Sequence, residues 1–287
     1  MTPYEPNLRN YADSGQFPWA VHVRVFIDAV SYKECEGSIV TRRHVLTAAH
    51  CLKTNSRIYA ISVRYGNIDL RLTEEVFAIK YNFHPLYIPN TPNHDVGILL
   101  LEHPLEYSSQ VRPVCLPKAS FDVTGRKLFL PSWVRHPQVT PDNYLQYWKL
   151  QIRANSHCKK IYGGKFRDRI TLCASPKGPG LSTGYWGGPS TIRMIDGRHL
   201  QVGIASQFFD DQLVGSRVFA RVDALMPWII QNIENSNGYT RLSSGRPRPL
   251  NDVAVPSYLF SSAPLPTAPV VPVTPFVPTA PFAALYG

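Results

Sequence analysis

Two short runs of this 287-residue chain hold side chains suited to moving a proton. The run Leu46-Thr47-Ala48-Ala49-His50-Cys51 sets His50 beside a cysteine, and Cys35 lies 16 residues before Cys51. An imidazole titrates near neutral pH and suits a general base, and one held beside a disulfide at a strand end is well placed for that work. The run Asn93-His94-Asp95-Val96-Gly97-Ile98-Leu99-Leu100-Leu101 opens a hydrophobic strand with a carboxylate. Such an aspartate could hold His50 in one tautomer and stabilise the imidazolium formed when it takes a proton. The same two residues could also be a buried polar pair that only stabilises the fold. Gly180-Leu181-Ser182-Thr183-Gly184 has the G-x-S-x-G spacing of a nucleophile elbow. That elbow needs a strand before it and a helix after it, and neither pattern flanks this one.

The elements that must carry these residues are mostly strands. Short apolar or alternating runs recur at Ala20–Ile27, Gly37–Thr41, Ile58–Tyr65, Val76–Tyr81, Val96–Leu101, Val202–Ala205 and Val218–Val222, each bounded by turn-forming or charged residues. Many short strands with such punctuation point to an all-β sandwich or barrel. From Asp223 to Asn235 the period changes: Leu225, Trp228, Ile229 and Ile233 fit one helix face, with Pro227 tolerated only in the first turn. After Asn237 the charges thin out and prolines recur every third residue from Pro266 to Pro281. Polyproline II has three residues per turn, so a semi-rigid, disordered Pro-rich tail is expected, with a docking strip for an aromatic groove as the sharper alternative.

Composition narrows the function classes. The net charge is +10, but its basic pairs, such as Arg42-Arg43 and Lys159-Lys160, have no interleaved aromatics, so the reading is a solvated surface and no nucleic acid. No run of about 18 apolar residues appears, so no membrane span is expected. Of five cysteines, Cys35 with Cys51 and Cys158 with Cys173 could each close a short loop, which implies an oxidising compartment. Cys115 is left over, and in a secreted protein it would be a free thiol or bonded to a partner elsewhere. No cysteine forms a C-x-x-C or zinc-like cluster, so no metal and no cofactor are expected. Residues 1–10 hold no basic stretch followed by an apolar one, so no signal peptide stands there, and with Cys115 unpaired a missing upstream segment is the expectation.

The runs around His50 and Asp95 resemble the trypsin/chymotrypsin family of serine proteases. The resemblance extends, in order, over about residues 10–235: Gln16-Phe17-Pro18-Trp19, Gly37-Ser38-Ile39-Val40, Val114-Cys115-Leu116-Pro117, Thr171-Leu172-Cys173-Ala174, Gly187-Gly188-Pro189, Gly203-Ile204-Ala205-Ser206, and Arg221-Val222 with Trp228-Ile229. It implies two six-stranded antiparallel β-barrels with a C-terminal helix and a cleft between the barrels. It also implies disulfides Cys35–Cys51 and Cys158–Cys173, and a segment upstream of the domain bonded to Cys115. The domain is expected over residues 10–237, between an N-terminal extension (1–9) and the Pro-rich tail (238–287).

The resemblance breaks at the nucleophile. The family loop reads Gly-Asp-Ser-Gly-Gly-Pro; here it reads Gly184-Tyr185-Trp186-Gly187-Gly188-Pro189, which sets Trp186 at the serine and Tyr185 at the preceding aspartate. In the family a cleaved N-terminus pairs with that aspartate and shapes the oxyanion loop, but Pro6-Asn7-Leu8-Arg9 lacks the matching pattern. The specificity-pocket positions read Gly180, Gln207 and Phe208, and Ser182 stands where a pocket-bracing cysteine belongs. The implied function is a secreted, catalytically inactive serine protease homologue. It would act by binding an active protease, its substrate or an inhibitor, as adaptor, cofactor or decoy in an extracellular cascade such as arthropod immunity. The alternatives are an endopeptidase that uses another nucleophile, such as Ser182, and a structural protein assembling through the tail.

Overall fold

The computed structural model describes residues 10–133, 143–176, 187–206, 216–235 and 238–242. A two-residue strand, β1 (Asn10–Tyr11), leads into six longer ones: β2 (Ala20–Phe26), β3 (Tyr32–Ile39), β4 (His44–Thr47), β5 (Ala60–Tyr65), β6 (Glu74–Phe83) and β7 (Gly97–Leu101). They pair antiparallel in the order β6-β5-β2-β3-β4-β7, and β6 pairs back onto β7, so the sheet closes. A second set follows: β8 (Lys127–Ser132), β9 (Gln146–Arg153), β10 (Thr171–Ser175), β11 (Pro189–Arg193), β12 (His199–Ala205) and β13 (Arg217–Arg221). Its order is β9-β10-β13-β12-β11-β8, closed by β8 on β9. The architecture is therefore two closed six-stranded antiparallel barrels. β1 adds to β9, and β14 (Thr240–Arg241) adds to β6.

Burial along the strands explains why these residues form barrels. In β2 the alternate residues Val21, Val23 and Val25 are completely buried, the period of a strand with one face in a core. Ala20 and His22 are buried on the opposite face, where the His22 ring meets Trp133 of the second barrel's side edge-on at 6.4 Å. In β7, Ile98, Leu99 and Leu101 are buried in a row with no polar interruption. The second barrel has its own core, which includes Leu128, Leu130, Leu150, Ile152, Ile192 and Phe219.

Among the described residues three α-helices are attached: α1 (Ala49–Leu52), α2 (Asn155–Tyr162) and α3 (Val222–Glu234). α3 begins one residue before the helix expected at Asp223 and buries Val222, Leu225, Ile229 and Asn232. Pro227 is its sixth residue and so lies in the second turn rather than the first. Proline has no N–H to return to the Asp223 carbonyl, so the helix forgoes that bond. Asn232 accounts for the polar residue on the packed face: Asn82 donates to its Oδ1 at 2.8 Å, and its Nδ2 donates to the Trp228 carbonyl at 2.8 Å. Pairing continues past residue 237, since Thr240 pairs with Tyr81 and Arg241 with Lys80. A second unit, Pro249–Gly287, lies outside the described residues, and the expected tail lies largely within it.

Candidate active site

His50 sits in α1, a single helical turn whose four residues are all buried. That turn lies close over β7 because residue 97 is glycine: a Cβ there would stand 2.5 Å from Leu52 Cδ1 and 3.2 Å from the Ala48 carbonyl. The pair Cys35–Cys51 is disulfide-bonded and ties α1 to β3, and Cys158–Cys173 ties α2 to β10.

Asp95 comes from the other direction. His94 before it has φ +57°, the left-handed region that non-glycine residues seldom adopt, and Val96 N–H donates to the His94 carbonyl at 2.8 Å. This tight turn presents Asp95 to α1. The His50 backbone N–H donates to Asp95 Oδ1 at 2.8 Å, and His50 Nδ1 lies 2.8 Å from Asp95 Oδ2. An ionised carboxylate only accepts, so Nδ1 carries the proton in this pair and Nε2 is left as the basic nitrogen. Ser206 Oγ donates to Asp95 Oδ2 at 2.5 Å. Asp95 is 1% exposed and His50 7%, so the carboxylate is removed from water and fully engaged. Lys33 Nζ donates to the His50 carbonyl at 3.1 Å; burial pushes the Lys33 pKa down, and the nearby Asp95 charge opposes that shift.

The Gly187-Gly188-Pro189 run reaches the same place. Gly187 has φ +80°, and a Cβ on it would meet Thr47 Oγ1 at 2.5 Å and the Glu36 carbonyl at 2.6 Å. Only glycine fits there. Its N–H donates to the Ala205 carbonyl at 2.8 Å, and Ala205 N–H donates to the Gly188 carbonyl at 2.9 Å. The loop that contains Trp186 therefore rejoins the barrels against residues 47 and 48, next to α1. Trp186 itself lies outside the described residues, as do Gly180, Ser182, Gly184, Tyr185, Gln207 and Phe208.

Sequence reasoning missed two contributors. Ser206 was within a quoted run but carried no assigned part. Glu36 lies two residues along β3 from the Gly37-Ser38-Ile39 run's centre and is 4% exposed. Its Oε1 accepts from Ser132 Oγ at 2.8 Å and from Trp133 N–H at 2.9 Å. Burial pushes its pKa up to about 8, with those two hydrogen bonds acting the other way. With Lys33 and Glu34 just before it, nothing in the local sequence marks it as the buried charge. Among the described residues, the one grouping of metal-ligand types is Cys35, His50 and Cys51, within 4.8 Å. The two sulfurs are bonded to each other, so they are not thiolates and do not suit a metal.

The arrangement pairs a basic imidazole nitrogen with a buried carboxylate at the junction of two barrels. A family model described as Trypsin matches residues 9–229. The chain belongs to the trypsin family. Within the trypsin family it is 30% identical over 237 residues to Serine protease 28 of Mus musculus, covering 77% of this chain and 86% of that protein. It is 30% identical over 237 residues to Serine proteinase stubble of Drosophila melanogaster, covering 76% of this chain and 30% of that one. It is 26% identical over 243 residues to the Proclotting enzyme of Tachypleus tridentatus, covering 77% of this chain and 64% of that one. The chain thus spans less than two thirds of the stubble and proclotting proteins. A solved structure of HL collagenase shares the fold at TM-score 0.69 and 23% identity, covering 78% of this chain and 97% of that one.

Proposed function

We propose that this trypsin-family domain works by binding and not by cutting. The observation that carries the reading is the residue at the nucleophile position: Gly187-Gly188-Pro189 sets the register, and the residue before them is Trp186. Indole offers an N–H donor and no nucleophilic oxygen, so His50 has no hydroxyl there to deprotonate. Removing the serine from such a unit costs about 10⁶ in turnover. Tyr185 supports the reading, because a phenol cannot pair with a cleaved N-terminus as an aspartate does. His50 and Asp95 are then triad remnants, a paired couple without a nucleophile to serve.

The domain is read as residues 10–237, with an extension before it and a Pro-rich tail after it. Two disulfides suit an oxidising, extracellular setting, and among the described residues no helix is long and apolar enough to cross a membrane. A proclotting enzyme among the relatives makes a proteolytic cascade the proposed context. There the protein would serve as adaptor, cofactor or decoy for an active protease, its substrate or an inhibitor. A segment bonded through Cys115 is part of the same proposal.

The test is labelling of the purified chain with a fluorophosphonate, which tags only activated serines. No labelling is expected, against full labelling of an active trypsin run alongside. Stoichiometric labelling would overturn the proposal, and mapping of the tagged peptide would show whether Ser182 is the nucleophile.

A further inference from the structure

The chain's excess positive charge is confined to one stretch. Residues 118–221, which carry β8 to β13, hold 16 lysines and arginines against 6 aspartates and glutamates. Residues 1–117 hold 11 of each, and residues 222–287 hold 3 of each. The whole net charge of +10 therefore belongs to the second barrel's stretch, and the first barrel's is balanced. Solubility would be served as well by an even spread; asymmetry between the halves of one chain points to an anionic partner. None of the six strands of the second barrel contains an acidic residue.

Strands β9, β8 and β11 lie side by side, and their register gathers cations on one outward face. Leu128, Leu150 and Ile192 fill the second barrel's core, so their neighbours Lys127, Lys149 and Arg193 point outward, and all three are exposed. Phe129 pairs with Lys149 on one side and with Thr191 on the other. Lys127 lies two residues before Phe129 and Arg193 two after Thr191, so in this antiparallel pair both fall toward the same end. Arg126 joins them, because its Nη2 donates to the Arg193 carbonyl at 2.8 Å. Elsewhere in the barrel Lys159 pairs with Asp168, Arg198 with Asp196 and Arg221 with Asp223, but among the described residues no carboxylate pairs with Arg126, Lys127, Lys149 or Arg193. Four cations thus gather over three adjacent strands, a width of about 10 Å.

The rest of the face selects among polyanions. Nucleic-acid bases stack on exposed rings, but Tyr147 is only 9% exposed and Phe129 is half-buried. Lys149 Nζ already lies over the Tyr147 ring at 5.3 Å. A protein partner is held by an apolar anchor at the centre of the contact, and Phe129 is too sunken to be one. A lipid surface needs inserted apolar area. Ile195, in the turn between β11 and β12, is fully exposed, but one aliphatic side chain is too little to hold lipid. A linear polyanion needs neither ring nor anchor, since ion pairs and released counterions supply its affinity. We propose that the outer face of β8, β9 and β11 binds a sulfated polysaccharide, whose sulfate groups pair with Arg126, Lys127, Lys149 and Arg193. None of these four residues belongs to the His50–Asp95 pair or to the nucleophile loop, so the face serves a cutting and a non-cutting domain alike.

The experiment titrates the full chain into a fluorescein-labelled heparin octasaccharide and reads anisotropy at rising sodium chloride. Saturable binding that weakens steeply with salt is expected. Lys127→Gln with Lys149→Gln and Arg193→Gln, all at exposed positions, should weaken it by about tenfold or more. Arg42→Gln with Lys53→Gln and Arg57→Gln removes the same charge from the first barrel and should leave binding within about twofold, because distant exposed charges are screened. Lys127→Arg with Lys149→Arg keeps the charge and should keep the binding. No saturable binding, equal losses in the two triple variants, or equal binding of the desulfated octasaccharide would each overturn the proposal. Tighter binding of phosphatidylserine vesicles or of a single-stranded oligonucleotide at the same salt would overturn the partner class.

Discussion

Glu36 carries a proton at neutral pH that the same side chain would lose in water. It ordinarily titrates near 4.5, and burial in the fold lifts it to about 8. Between those values the folded chain holds one more proton than the unfolded chain, so the contribution of this group makes stability fall as pH rises. The full span corresponds to about 5 kcal/mol. Glu36→Gln keeps the shape and removes the ionisation, so its urea midpoint should fall less than that of the wild type between pH 5 and pH 9. Parallel behaviour of the two proteins would show that Glu36 ionises freely. A second change belongs at Trp186. Trp186→Ser alone should give no measurable amidolysis, because Tyr185 and the N-terminal stretch still lack the activating pair; turnover of a chromogenic substrate by that variant would show that argument wrong. The His50–Asp95 pair was legible because fixed flanking residues set its register, whereas Trp186 lies outside the described residues. Glu36 was not legible, because its environment is made by Ser132 and Trp133, almost a hundred residues away in sequence.

At the scale of elements, the Cys35–Cys51 link spans 16 residues and fastens the turn that holds His50. In the chain-entropy account a loop of that size is worth about 3 kcal/mol, so Cys35→Ala with Cys51→Ala should lower the unfolding free energy by about that amount. A non-reduced peptide map should show this pair and Cys158–Cys173. The loop after β6 has its own pH response. Burial, helped by neighbouring His94, pulls the His84 pKa down to about 4. The unfolded ring binds its proton near 6.5, so the stability that His84 contributes is present above that value and is lost as pH falls toward 4. The protection factors of the residue 84–95 amides, which divide out the slower intrinsic exchange at low pH, should fall over that window, and His84→Phe should remove the fall. Legibility differed between the barrels. Strands β2, β5 and β7 announce themselves as Val-, Ile- and Leu-rich runs. β8 carries Pro131, and β9 reads Gln-Tyr-Trp-Lys-Leu-Gln-Ile-Arg, in which buried Trp148, Leu150 and Ile152 alternate with less buried Lys149, Gln151 and Arg153. That alternation is a strand signal, but no run was read there; the two strands pair with each other to close the second barrel.

For the whole molecule, the boundary behind the second barrel has a measurable place. Tyr239 is buried and its hydroxyl donates to the Asn232 carbonyl at 3.1 Å, while β14 pairs with β6. Truncation after Leu242 should therefore leave the unfolding temperature unchanged. Truncation after Asn237 should cost about 2–3 kcal/mol from the loss of the buried ring. If the shorter cut also changed the hydrodynamic size beyond the lost mass, assembly through the tail would be the better account. Two of the basic pairs have a member held at the surface: Arg42 lies over the Tyr107 ring at 4.4 Å and pairs with Glu106 at 3.4 Å, and Lys159 pairs with Asp168 at 3.2 Å.

Cys115 is the unpaired sulfur between the barrels, and its backbone is sewn to β12. Its N–H donates to the His199 carbonyl at 3.3 Å, and its carbonyl accepts from Gln201 N–H at 2.9 Å. Anything joined to that sulfur is thereby moored to the second barrel through a rigid anchor. A proteolytic nick in the peptide chain between such a segment and the domain would then cut the cord without freeing the cargo. The two pieces would stay together at the high effective concentration of a tether, and a reductant, not a protease, would be needed to part them.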